Sequence, residues 1–119
     1  MTPLGRHLLA EFTGCEVAAL ADLDRVRTAM LAAAEASGAT IITHSFHHFS
    51  PYGVSGAVII AESHLAIHTW PEHRFAAVDF FSCGAVDMDR GLAVLRLAFS
   101  ATHETRLALE RGPLRTLKP

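Results

Sequence analysis

The sequence predicts an α+β fold: a two-layer α/β sandwich with a mostly antiparallel sheet and two helices on one face. Three observations predict it. Several runs of five to ten residues are rich in Ile, Val, Thr and Phe and are bounded by turn residues, as strands are. Two other stretches repeat their apolar residues at helical spacing. The elements come in the order strand, helix, several strands, helix, strand. Helices gathered in this way form one layer rather than alternating with parallel strands.

Taken in order, Arg6 to Thr13 carries Leu8, Leu9, Ala10 and Phe12 and reads as a strand. Asp22 is placed to cap a helix whose apolar positions Leu23, Val26, Met30 and Ala34 fall on one face, and Gly38 stops it. Thr40 to Phe49 reads as a strand, and Pro51-Tyr52-Gly53 marks a turn. Val54 to Ala61 and His64 to Trp70 are two further strands meeting at Glu62-Ser63, and Pro71 ends the second. Phe75 to Phe81 is another strand. Asp87 or Asp89 opens a second helix with Met88, Leu92, Leu95 and Phe99 on one face. His103 to Leu109 is a last strand, and the polar stretch from Arg111 to Pro119 is expected to fray.

With 119 residues the chain fits one domain, residues 1–119. Half of its residues are hydrophobic, which argues against disorder. A chain of this size has a limited core, and pairing with a second copy buries more apolar surface. The net charge of −2 and the absence of a basic stripe exclude a nucleic-acid partner. No apolar run reaches the roughly 20 residues of a membrane span. The two cysteines, Cys15 and Cys83, form no CxxC pattern, and Met1 to Glu11 lacks the pattern of a signal peptide. A reduced, cytoplasmic protein is expected.

The central segment, Val54 to Glu72, concentrates the chemistry. With Glu62 and Ser63 as the two central residues of a hairpin, Ala61 faces His64, Ile59 faces Ala66 and Ala57 faces His68. Ser55, His64 and His68 then project to one side of the sheet, with Ser55 and His68 as diagonal neighbours. A polar cluster among Ala57, Ile59, Ala61 and Ala66 needs partners or a purpose.

Several blocks, in order and at matching spacing, carry a resemblance over nearly the whole chain. They are GlyArgHisLeuLeuAlaGluPhe (5–12), SerGlyAlaThrIle (37–41), PheHis (46–47), ProTyrGlyValSerGly (51–56), GluSerHisLeuAlaIleHisThrTrpProGlu (62–72) and PheSerCysGly (81–84). In these blocks the chain resembles the small bacterial S-adenosylmethionine decarboxylase proenzymes, which make a pyruvoyl group from their own serine. It departs from them in a short C-terminal tail and at His48, where a larger basic residue is expected.

The resemblance implies autocatalytic cleavage at Glu62–Ser63 into chains 1–62 and 63–119. Ser63 becomes the covalent pyruvoyl group, which forms a Schiff base with the substrate amine and acts as an electron sink during decarboxylation. It implies His68 as the processing base, Ser55 as the oxyanion donor during processing, and Cys83 as the donor that returns a proton to the α-carbon. Phe49 for the adenine, Glu72 for the ribose hydroxyls and Glu11 near the amino-acid end are the implied substrate contacts. The product would be the aminopropyl donor of spermidine synthesis. A homodimer is implied as well. Five residues of strand separate Ser63 from His68, roughly 17 Å, so the expected site is composite: Ser63 and Cys83 from one subunit, Ser55 and His68 from its partner.

Each residue also has an ordinary reading when taken singly. Ser63 is then a turn serine, His68 a strand histidine, Ser55 a backbone partner, Cys83 a small hydrophobe, Phe49 a core residue and Glu72 a solvated turn residue. Only the block context assigns them otherwise. Two rival functions stay open on sequence alone: a pyruvoyl-dependent arginine or ornithine decarboxylase on the same scaffold, and a non-catalytic dimeric binding module. The eight histidines form no compact ligand motif, and no metal is expected.

Overall fold

The computed structural model describes residues 3–112. A six-stranded sheet in the order β2-β3-β4-β5-β1-β6 carries three helices on one face. The strands are β1 (Gly5–Thr13), β2 (Thr40–His48), β3 (Val54–Ala61), β4 (Ser63–Trp70), β5 (Phe75–Ser82) and β6 (His103–Arg111). Every neighbouring pair is antiparallel. The α+β layering expected from the sequence is therefore observed. The part of the expected frayed tail beyond residue 112 lies outside the described residues.

The two long helices are α2 (Leu23–Ala36) and α3 (Met88–Ala98). Asp22 caps α2, accepting from the amides of Asp24 at 2.9 Å and Arg25 at 3.2 Å. Asp87 rather than Asp89 caps α3, accepting from the Arg90 amide at 3.0 Å. Gly38, at φ 84°, takes the left-handed turn that releases the chain from α2. The sequence reading is corrected at one helix. Val17–Ala21 forms a five-residue α1, and Pro71–His73 forms a 3-10 turn. Neither is long enough to show a period, and the residue before α1, Glu16, makes no capping bond with its side chain.

Alternation along the strands divides the sheet into two unlike faces. Ala10, Phe12, Val58, Leu65, Ile67, Val78 and Phe80 pack under the helices against Val26, Met30, Leu92 and Leu95, all buried. The opposite face carries Leu9, Ile59, His64, His68, Trp70 and Phe81, with Leu107 and Leu109 on β6. No element covers it among the described residues, and Ile59 is 42% and Leu107 56% exposed.

The expected hairpin register is corrected as well. Ile60 pairs with Ser63, Ile59 with His64 and Ser55 with His68. The turn is therefore centred on Ala61-Glu62, one residue earlier than expected. The reason lies in β5, whose Ser82 pairs with Ser63 and draws that residue into the sheet. Moving the turn centre by one residue changes each pairing by two, so the sides of the sheet are preserved. Ser55 and His68 thereby become direct rather than diagonal partners.

Candidate active site

Two clusters form at opposite ends of β4. The first surrounds the Glu62–Ser63 bond. Ser63 begins β4 at φ 143°, a region that residues with a side chain rarely adopt, and such a backbone stores on the order of 1–3 kcal/mol. The chain turns at the end of β5 because the buried Ser82 hydroxyl accepts from the Gly84 amide at 3.0 Å. That turn brings Cys83 onto Ser63. The Cys83 amide donates to Ser63 Oγ at 3.2 Å and to the Glu62 carbonyl oxygen at 3.4 Å. The Ser63 hydroxyl donates to Cys83 Sγ at 3.6 Å. One N–H thus points at both the hydroxyl and the carbonyl that an acyl shift would join. It is placed where charge would develop on the carbonyl oxygen in such a shift.

The second cluster lies at the far end of β4. Ser55 Oγ stands 2.8 Å from His68 Nδ1. When Nδ1–H donates to Ser55, the Nε2 lone pair is left outward as a base and the serine keeps its own proton to donate. Beside them opens a cavity of about 320 Å³ lined by Phe49, Tyr52, Trp70 and Glu72 as well as Ser55 and His68. The loop that carries Phe49 is closed by its amide donating to the Gly53 carbonyl at 2.8 Å. The Trp70 and Phe75 rings lie 5.3 Å apart and tilted by 39°, and Phe49 meets His47 edge-on at 4.5 Å.

The structure thus brings Ser55, His68, Phe49 and Glu72 together, and separately Glu62, Ser63 and Cys83. Glu11 joins neither group. It faces Ala77, itself the partner of His68, so it stands two strands from that histidine. It lines a separate cleft with Leu9, Thr105 and Leu107. Within one chain Ser55 is beside His68 and not beside Glu62, and the donor on the Glu62 carbonyl is the Cys83 amide. Sequence reasoning missed that amide, because a backbone group has no signature in the sequence. It also missed Tyr52 and Trp70 as cavity walls and Ser82 as the residue that turns the chain. The motif containing Trp70 was in view, but nothing in its residue type distinguished a wall from a core aromatic.

Electrostatics separate the two cysteines. Cys15 is buried, and burial pushes its thiol up to about 11, which leaves it inert at neutral pH. Cys83 is exposed beside Ser63. On the open face, burial lowers the His7 pKa, an effect opposed by the charge of Asp79 and aided by Arg111 and His64. Its Nδ1 accepts from Arg111 at 3.1 Å, as a neutral ring can. Among the described residues, no three His, Cys, Asp or Glu side chains converge as a metal site. No helix there is long and apolar enough to cross a membrane.

Comparison with known proteins assigns the class. The sequence pattern of the S-adenosylmethionine decarboxylase family matches residues 6–112. The chain belongs to that family. It is 51% identical over 113 residues to the S-adenosylmethionine decarboxylase proenzyme of Acidithiobacillus ferrooxidans, covering 94% of this chain and 85% of the relative. It is 49% identical over 113 residues to the proenzyme of the same name from Thermotoga maritima, covering 94% and 87%. The fold is similar to the crystal structure of the adenosylmethionine decarboxylase from Aquifex aeolicus. The TM-score is 0.88 at 29% identity, over 100% of this chain and 99% of that one.

Proposed function

We propose that this chain is the proenzyme of a pyruvoyl-dependent S-adenosylmethionine decarboxylase, a carboxy-lyase that supplies decarboxylated S-adenosylmethionine to spermidine synthesis in the cytoplasm. The observation that carries this reading is the Cys83 amide shared between Ser63 Oγ and the Glu62 carbonyl oxygen.

Ser63 Oγ attacks the Glu62 carbonyl carbon, and the Glu62–Ser63 C–N bond breaks to leave an ester. The Cys83 amide and the Ser55 hydroxyl steady the oxyanion. His68 Nε2 takes the Ser63 α-proton, the Cβ–Oγ bond breaks, and residues 1–62 leave with a free Glu62 carboxylate. The enamine left at residue 63 tautomerises and is hydrolysed, releasing ammonia and leaving the pyruvoyl group on chain 63–119. That group supplies the electron sink for decarboxylation. The thiol of Cys83, which lies 3.6 Å from Ser63 Oγ, fits a proton donor at the same place. Phe49 and Trp70 offer flat apolar walls for a purine, and Glu72 offers acceptors for two ribose hydroxyls. These walls, together with family membership, favour a nucleoside substrate over arginine or ornithine.

The working site is composite, in a homodimer. The cavity that holds Ser55 and His68 contains neither Ser63 nor Cys83, and roughly 17 Å of strand separates Ser63 from His68. Two open sheet faces packed together would cover Ile59, Phe81 and Leu107 and let one subunit's His68 approach its partner's Ser63.

Intact mass measured with time tests the reading. The 119-residue chain should give two chains that break between Glu62 and Ser63, the second of them trapped by phenylhydrazine. Carbon dioxide should be released from S-adenosylmethionine and not from arginine or ornithine. A chain that stays whole on long incubation would favour a non-catalytic binding module.

A further inference from the structure

Thr69 lies between His68 and Trp70 but points the other way, into the core. It is one of three buried polar residues among the described ones, with Ser37 and Ser82. Its hydroxyl is used twice. Oγ1 accepts from the Val54 amide at 2.8 Å and donates to the Leu20 carbonyl at 2.9 Å. Leu20 sits in the last turn of α1, where a helix has carbonyls without internal partners. Val54 immediately precedes Ser55 at the open end of the β3–β4 pair. One hydroxyl therefore closes the last rung of that hairpin and fastens it to a helix 49 residues away in sequence. The loop carrying Phe49 rests on the same residue: a Cβ at Gly53 would lie 2.8 Å from the Thr69 backbone oxygen.

We propose that Thr69 is a positioning residue for the site: its hydroxyl, held between the Val54 amide and the Leu20 carbonyl, keeps Ser55 in register with His68, and both the acyl shift and removal of the Ser63 α-proton depend on it. The inference rests on the processing chemistry proposed above. A base works only within a few tenths of an ångström of its productive position. The Ser55–His68 bond is next to the rung that Thr69 closes, so the strand end frays first at that bond when the hydroxyl is lost. Valine at this position keeps the shape of threonine but leaves the buried Val54 amide and Leu20 carbonyl unpaired.

The test uses the full-length chain with Thr69→Val, Thr69→Ser and His68→Ala. Thr69→Val should fold, as judged by circular dichroism, and self-process at least tenfold more slowly than the native chain. The uncut material should carry no pyruvoyl group, so that phenylhydrazine leaves its mass unchanged. Thr69→Ser, which restores the hydroxyl, should process within threefold of the native rate. Thr69→Ala carries the same expectation as the valine variant and replaces it if valine prevents folding. The proposal is overturned if Thr69→Val matures at the native rate while His68→Ala does not. It is equally overturned if the serine variant is as slow as the valine variant. A native chain that never splits defeats the processing chemistry itself, which separates that failure from the others.

Discussion

The Ser55 hydroxyl lies 2.8 Å from His68 Nδ1, across a pair of strands in which the two residues are direct partners. When Nδ1–H is the donor in this pair, the serine keeps its own proton, which on the proposed chemistry meets an oxyanion. Ser55→Ala should therefore leave the fold intact and slow self-processing by about 100-fold, within the range seen when an oxyanion donor is removed. Gel analysis of chain cleavage with time measures this. Cleavage at the native rate would remove Ser55 from the chemistry.

Mixing two inactive chains tests the composite site. On the proposed chemistry Ser63→Ala lacks the cleavable serine and His68→Ala lacks the base. In mixed dimers the His68→Ala chain should split, because its partner supplies the histidine, whereas the Ser63→Ala chain stays whole. Mass spectrometry distinguishes the two. A His68→Ala chain that stays uncut in every mixture would falsify the cross-subunit arrangement.

Trp70 is the only tryptophan in the sequence and it lines the cavity with Phe49 and Glu72. Titration with an uncharged 5′-thioether of adenosine should change its emission saturably. Phe49→Ala should weaken the measured Kd by about ten- to a hundredfold, since stacking of a base on an aromatic ring contributes roughly 1–3 kcal/mol. An emission that never responds, or an affinity unchanged in Phe49→Ala, would place the nucleoside elsewhere.

Cys15 makes stability depend on alkaline pH. Burial raises its thiol from an ordinary value of 9.0 to about 11 in the folded chain. Between these values the unfolded chain releases a proton that the folded chain keeps, so unfolding becomes easier as pH rises. The thiol's contribution is whole below about pH 9 and is lost towards pH 11, on the order of 2 kcal/mol in all. Urea melts at pH 8 and pH 10.5 should differ less for Cys15→Ala than for the native chain. An equal loss in both would assign the alkaline sensitivity to other groups.

Much of the architecture was legible from residue patterns. Asp22 before the Leu23, Val26, Met30 spacing marked α2 at its observed start, and Gly38 marked its end. Val54–Ala61 was expected with the bounds it has. These are local matters, because helical period, capping and strand propensity act over a few neighbouring residues. What failed was short or cooperative. Helix α1 has only five residues, too few to show a period, and it is held partly by the Leu20 carbonyl meeting Thr69.

Residue order along the chain is enough to set the segregation of helices from strands, the side of the sheet that Ser55 and His68 share, and the family blocks around Ser63. The tertiary structure alone decided which residue turns the β3–β4 hairpin, because a strand distant in sequence, β5, pairs with Ser63 and moves the turn to Ala61-Glu62. It alone put one backbone amide, that of Cys83, on both the Ser63 hydroxyl and the Glu62 carbonyl. Side-chain alternation is a property of each strand, so it can be read along the chain. Register and backbone hydrogen bonds are set between strands, and only their packing selects one pairing from several that bury the same residues.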